Sequence, residues 1–246
     1  MSMPASTILR VAIADLAPSG GLRAAINFGN SVLASRDPIT GEPGGISTDL
    51  ARELARRLSV PIEFVLYEEA GKVVEGLKTA AWDICFLAID PLRAADIAFT
   101  APYVVIEGVF MVAQASALRR NADVDRAGAH VGVIVGSAYD LYLTRELRHA
   151  AIVRAANAAA VMDLWGGGKL DAVAGVKPQL EAHAQRVGGL RLLPERFMAI
   201  NQAMGTPRER TAGARYLAAF VDELKSSGFV AQAFARNRII GASMAP

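Results

Sequence analysis

Arg93, Ser137 and Glu107 are the residues of this chain whose neighbours suggest the most chemistry. Arg93 follows Asp90-Pro91-Leu92, a pattern in which Asp caps a helix and Pro takes its first position. That places Arg93 one turn into a helix, where its guanidinium could form a bidentate pair with a carboxylate. The plainer reading is a solvated Arg. Ser137 lies in Gly136-Ser137-Ala138-Tyr139, directly after the apolar stretch Val131–Val135. A strand that turns at once into a helix offers backbone N–H groups, a hydroxyl and the positive end of the helix dipole to a carboxylate or phosphate. The same four residues also read as an ordinary helix cap. Glu107 interrupts the apolar run Tyr103-Val104-Val105-Ile106-Glu107-Gly108-Val109-Phe110, where an unpaired buried carboxylate would be costly. It either faces solvent by strand alternation or meets a cationic or hydroxyl group of a ligand.

Nothing in the chain completes a catalytic or metal-binding constellation. The three histidines, His130, His149 and His183, form no HExxH arrangement. Gly136-Ser137-Ala138 lacks the second glycine of a nucleophile elbow. Gly166-Gly167-Gly168-Lys169-Leu170 has Leu where a phosphate loop needs Ser or Thr, and it precedes a strand instead of following one. There is no dinucleotide fingerprint, and Cys85 is the single cysteine, so no disulfide framework or zinc thiolate cluster is available. No cofactor and no metal are expected. The chemistry on offer is recognition of a small anionic molecule.

The elements that must position these residues alternate along the chain, the signature of an α/β protein with mainly parallel sheets. Strands are expected at Leu22–Asn27, Ile62–Leu66, Asp83–Ile89 and Val104–Ala113, then at Val131–Val135, Ile152–Ala155 and Asp171–Gly175, with a further crossing at Phe197–Met204. Ile46, Leu50, Leu54 and Leu58, at steps of four, mark one face of a helix capped by Ser47, Thr48 or Asp49. Further helices are expected over 70–80, 138–148, 158–165, 178–187, 209–226 and 229–236. Two crossings, near 105–113 and 196–204, divide the pattern into two lobes with a cleft between them, where ligands commonly bind. The first lobe comprises 22–107 and 202–246, the second 108–201, and 1–21 is an N-terminal extension.

Composition removes several classes. In 246 residues, 52% are hydrophobic and 20% charged, enough to build a core and too ordered a pattern for a disordered chain. Lys plus Arg number 26 against 24 Asp plus Glu, scattered along the chain, which argues against nucleic-acid binding. No apolar run reaches the roughly 18 residues of a membrane-spanning helix. No secretory signal is visible in the first 21 residues, so the expectation is either a cytoplasmic protein or a mature form whose export signal has been removed.

The ordered motifs resemble the family 3 extracellular solute-binding proteins of ABC transporters. The likeness is carried by Gly45-Ile46-Ser47-Thr48-Asp49-Leu50-Ala51-Arg52-Glu53-Leu54-Ala55, by Asp83-Ile84 through Asp90-Pro91-Leu92-Arg93, and by Phe99-Thr100-Ala101-Pro102-Tyr103. Val135-Gly136-Ser137-Ala138, Leu170-Asp171-Ala172-Val173-Ala174-Gly175 and Leu224-Lys225-Ser226-Ser227-Gly228 continue it. The resemblance covers about Leu22 to Arg236 and implies the two-lobed type II periplasmic binding protein fold. It implies a non-catalytic protein that closes around a carboxylate-bearing or amino-acid-like solute and partners an ABC transporter membrane component.

By the same resemblance Arg93 clamps the ligand carboxylate, helped by the N–H groups around Ser137, Ala138 and Tyr139. Asn27, Phe28 and Asn30 line the cleft where relatives often place an aromatic residue. The chain departs from the family at three positions: Ala88 and Asp90 stand where Thr is usual, and Val176 replaces the Asp that receives an α-ammonium. A standard α-amino acid therefore lacks its usual partner unless Asp90 or Glu107 substitutes.

Two other functions stay open at this stage. One is an enzyme like the cyclohexadienyl dehydratases of the same fold, with Glu107 or Asp90 as acid. The other is a stand-alone ligand sensor. The extension contributes Thr7–Leu16, read either as a loose arm or as an added strand or helix that pairs two copies into a homodimer.

Overall fold

The computed structural model describes residues 5–246. The chain divides into two compact units. Unit 1 runs up to Val104 and includes Asn201–Ile239 and Met244–Pro246; unit 2 comprises Val105–Ile200 and Ile240–Ser243.

Unit 1 begins with α1 (Ala5–Leu16), β1 (Leu22–Asn27) and a two-stranded ribbon of β2 (Ser35–Arg36) and β3 (Pro43–Gly44). α2 (Ile46–Leu58), β4 (Ile62–Tyr67), α3 (Ala70–Leu77), β5 (Ile84–Ala88) and β6 (Ile97–Phe99) follow. β1 pairs in parallel with β4 and with β5. The chain then enters β7 (Val104–Ala113), all but its first residue in unit 2.

Unit 2 continues with β8 (His130–Ile134), α4 (Ala138–Glu146), β9 (Ala151–Ala155), α5 (Ala158–Gly166), β10 (Ala172–Val176), α6 (Lys177–Val187) and β11 (Leu190–Leu192). β8 pairs in parallel with β9 and β10, and β10 runs antiparallel to β7. β12 (Met198–Pro207) returns the chain to unit 1 and runs antiparallel to β5 and β6. Helices α7 (Thr211–Ser226) and α8 (Phe229–Arg236) and the short β13 (Ala242–Met244) complete the chain. Each unit thus has a parallel core of three strands, with antiparallel strands beside it.

Hydrophobic periodicity accounts for the helices. In α2, Ile46, Leu50, Leu54 and Leu58 are all buried, whereas Arg56 on the opposite face stays exposed. Its cap differs from the expected Ser47, Thr48 or Asp49: the N-cap is Gly45, at φ 106°, and no side chain caps the helix. A Cβ at Gly45 would fall 2.5 Å from the Leu33 carbonyl oxygen, so only glycine fits this close approach. The core of unit 1 gathers Trp82, Cys85, Leu87 and Ile97 around Val73, whose carbonyl accepts the Trp82 indole N–H at 2.8 Å. Cys85 is fully buried, and burial pushes its thiol up to about 12, so it packs as a small hydrophobe.

The expected helix after β5 is also corrected. Asp90 opens a single 3₁₀ turn over Arg93–Ala95 and not a helix, because β6 begins at Ile97 and leaves no room for more. Of the two readings left open for Thr7–Leu16, the added helix is the one found: Ala12 and Leu16 of α1 are fully buried, and Asp15 reaches the start of α7.

Candidate ligand-binding site

In a parallel sheet the carboxyl ends of the strands share one edge, and that edge is where α/β folds collect ligand-binding groups. In unit 1 the edge is formed by the ends of β4, β1 and β5, in that order. It brings together Asn27, Phe28, Asn30, Ala88, Asp90 and Arg93, all of unit 1's expected site residues. Asn27 Oδ1 accepts the Gly29 N–H at 3.0 Å and shapes the turn after β1. The Phe28 ring carries the Arg36 guanidinium 4.2 Å from its centroid. Asn30 is buried, its Oδ1 accepting the Val32 N–H and its carbonyl the N–H groups of Leu33 and Ala34.

Arg93 is the central charged group of this edge. Only 4% of it is exposed, and its Nη1 donates to the Ala88 carbonyl at 3.0 Å. Asp90, equally buried, accepts the Leu92 N–H on Oδ1 at 2.9 Å and the Ala94 N–H on its carbonyl at 2.8 Å. The tight turn thus folds Arg93 back against the strand it follows. Burial draws the Arg93 guanidinium down to about 10, against the pull of the neighbouring Asp90 charge. It stays protonated at neutral pH, a cation held in a confined setting where pairing with an anion is worth most.

Glu69 lies on the same edge and is absent from the expected set. It follows β4 and is the N-cap residue of α3, making no side-chain cap hydrogen bond. Desolvation, reinforced by the adjacent Glu68, raises its carboxyl to about 7.

Unit 2 has its own carboxyl edge, at the ends of β8, β9 and β10. Ser137 is the N-cap of α4, its hydroxyl accepting the Asp140 N–H at 3.1 Å. The Asp140 carboxylate accepts the Gly136 N–H at 2.8 Å and is held by Arg154 Nε at 2.9 Å. Part of the predicted anion-binding turn is therefore occupied by the protein's own cap, with Ala138 the first residue of the helix. Tyr139 fills the core of unit 2 among Phe110, Val133 and Leu143, a packing position. Val176 ends β10, buried, and serves as N-cap of α6.

Glu107 meets cations of its own unit: Lys177 Nζ stands 2.7 Å from Oε2, and Arg196 Nη1 3.7 Å from Oε1. Neither Lys177 nor Arg196 was expected at the site. The available signal for Lys177, as for Glu69, is its place where a parallel strand gives way to a helix. Among the described residues no group of three His, Cys, Asp or Glu side chains is placed to hold a metal ion. No helix of the described residues is long and apolar enough to cross a membrane.

Two α/β units, each built on a parallel core of three strands with antiparallel strands beside it, have the fold of the type II periplasmic binding proteins. The chain belongs to the bacterial extracellular solute-binding proteins, family 3, whose sequence model matches residues 34–237. No curated protein matches the sequence.

Solved structures share the fold at low identity. A mutant of ArgBP from T. maritima is 22% identical, covers 92% of this chain and 98% of its own, and superposes with a TM-score of 0.76. An amino acid ABC transporter substrate-binding protein from Streptococcus pneumoniae, bound to L-arginine, is 17% identical over 90% of this chain and 96% of its own, with a TM-score of 0.76. An ancestral amino-acid-binding protein, a precursor of cyclohexadienyl dehydratase, is 19% identical over 91% and 97%, with a TM-score of 0.73.

Proposed function

We propose that this protein binds a small carboxylate-bearing, amino-acid-like solute without transforming it, and delivers it to the membrane component of an ABC transporter. The observation that carries the reading is Arg93: a buried guanidinium at the carboxyl edge of unit 1, folded back by the Asp90 turn. A charged group so thoroughly removed from water is costly to keep, and an incoming carboxylate offsets that cost with charge-assisted hydrogen bonds. Family membership and the arginine-bound structural relative support the same reading. For the dehydratase alternative, the expected acid Glu107 is engaged by Lys177 and Arg196, and the carboxylate of Asp90 is committed to its own turn.

The test begins with native mass spectrometry of the purified protein, to identify a copurifying solute, followed by calorimetric titration of that solute or of a panel of amino acids and simple carboxylates. Arg93→Ala is expected to weaken carboxylate binding by about 10- to 150-fold, the value of one or more hydrogen bonds to a charged group. Its circular dichroism spectrum should remain that of the wild type. Unchanged affinity would remove Arg93 from the site, and loss of a prephenate-like ultraviolet spectrum on incubation would replace binding by catalysis.

A further inference from the structure

The amino edge of unit 2, at the end of its parallel core opposite Ser137, holds a cavity of about 450 Å³ lined by His130, Val153, Gly168, Lys169, Leu170 and Asp171. That volume is within the range of small-molecule sites. His130 opens β8, Val153 lies in β9, and the other four residues connect α5 to β10. The run Gly166-Gly167-Gly168-Lys169 thus has a place in the fold, though not as a phosphate loop. The N–H groups of Gly167, Gly168 and Lys169 donate to the carbonyls of Asp163, Trp165 and Leu164 at 3.0, 2.9 and 3.1 Å. They close α5 and leave a ligand to be met by side chains. Gly168, at φ 66°, turns the chain so that Lys169 arrives at the rim of the cavity.

The cavity has an apolar wall and a charged rim. Val153 and the buried Leu170 belong to the apolar cluster that includes Val161, Val173 and Leu180. At the rim, Asp171 Oδ2 accepts the His130 N–H at 2.9 Å, with His130 Nδ1 at 3.7 Å, and Arg126 Nη2 stands 3.9 Å from Oδ1. Arg126 therefore offsets the Asp171 charge. Lys169 is exposed, and among the described residues its ammonium has no acid partner.

The balance at the rim is one positive charge to spare, and that narrows the ligand. A cation would be repelled by Arg126 and Lys169. A dianion such as phosphate would find one spare cation beside the Asp171 carboxylate, and would gain nothing from Val153 and Leu170. A monoanion with an apolar body satisfies both the rim and the wall.

We propose that this cavity is a second binding site, for a small organic carboxylate whose apolar body lies against Val153 and Leu170 and whose charge pairs with Lys169. The site is built wholly from unit 2 and uses none of the groups assigned to the solute. It stands whether or not Arg93 holds a carboxylate.

Amide NMR titrations with benzoate and with benzyl alcohol, its uncharged counterpart, test the proposal. They are made on protein carrying Arg93→Ala, which removes the carboxylate recognition proposed for unit 1. Benzoate should move the signals of His130 and Gly168–Asp171, with an affinity about two- to fivefold above that of benzyl alcohol, the value of one solvent-screened ion pair. Adding Lys169→Gln, a change at an exposed position, should bring benzoate down to the level of benzyl alcohol, whereas Lys169→Arg should keep the difference.

Three results would each overturn the site: benzoate signals that move only elsewhere or nowhere, equal affinity for the two probes, or a preference that survives Lys169→Gln. None of them bears on the Arg93 reading, which the wild-type titrations test separately.

Discussion

Lys177 Nζ lies 2.7 Å from Glu107 Oε2, joining the first residue of α6 to the middle of β7. Glu107 thereby resolves the conflict its sequence posed: an acid in an apolar strand is tolerable because the neighbouring strand-to-helix junction supplies a cation, with Arg196 at longer range. Hydrogen bonding to Glu107 raises the Lys177 ammonium above the ordinary lysine value. Both side chains keep 37% of their exposure, so water screens the pair.

The first prediction concerns this pair. Glu107→Gln should change stability by less than about 1 kcal/mol, as measured by urea denaturation, because a solvent-screened ion pair contributes little. A loss several times larger would mean that Glu107 anchors more of unit 2 than its two contacts account for.

A second carboxylate should behave in the opposite way. Asp83 is fully buried and accepts from Arg23 Nε at 3.0 Å, Arg23 Nη2 at 2.8 Å and Arg210 Nη1 at 2.7 Å. Burial alone would raise its pKa, but the two arginines outweigh it and hold the carboxyl below its ordinary value. A carboxylate whose folded pKa is depressed contributes stability above the unfolded value of about 3.9 and loses it as pH falls through the folded value. Asp83→Asn leaves two arginines facing a neutral amide and should cost about 3–5 kcal/mol. In a chain of this size that is a fall in melting temperature of about 6–20 °C by calorimetry, with a flatter acid limb than the wild type. A fall of only a degree or two would show that the arginines find water instead.

Much of this arrangement is legible in the sequence, and the parts that are not share a cause. β1 and β7 fall on the expected residues because each is a mostly apolar run, broken only by Arg23 and Asn27 in one and Glu107 in the other, bounded by turn-forming residues. The face of α2 follows from four apolar residues at steps of four, yet its cap does not, since Gly45 is chosen by the approach of the Leu33 carbonyl, a contact remote from the helix pattern. β6 and β11 escape notice because three residues carry no periodicity; they exist by pairing with β12 and β7.

The same holds for the site. Arg93 can be found from its own neighbours, Asp90 and Pro91. Glu69 and Lys177 become visible only when the parallel pairing shows which strand ends share an edge. Tyr139 illustrates the converse: adjacency to Ser137 suggested the ligand, while the helix turns its ring into the core.

The last prediction concerns the N-terminal helix, whose role was the least legible of all. α7 begins after Arg210 with no side chain of its own capping it. Asp15, from α1, supplies the missing acceptor: its Oδ2 receives the N–H groups of Ala212 and Gly213, each at 2.9 Å, while its carbonyl accepts from Arg210 Nη1 at 2.9 Å. A carboxylate at a helix N-terminus satisfies orphaned donors and complements the dipole. The close approach depends on Gly213, where a Cβ would fall 2.9 Å from Leu16 Cδ2. Asp15→Ala should therefore cost about 0.5–2 kcal/mol, the value of an N-cap, read as a shift of the urea midpoint without change of slope. Asp15→Asn, which keeps an acceptor but loses the charge, should fall between the two. Solute affinity should not change in either variant, because the cap lies beyond the amino-terminal side of β1 and touches none of the groups at its carboxyl end. A weakened cap that also weakened binding would show that α1 helps to set the geometry of the carboxyl edge.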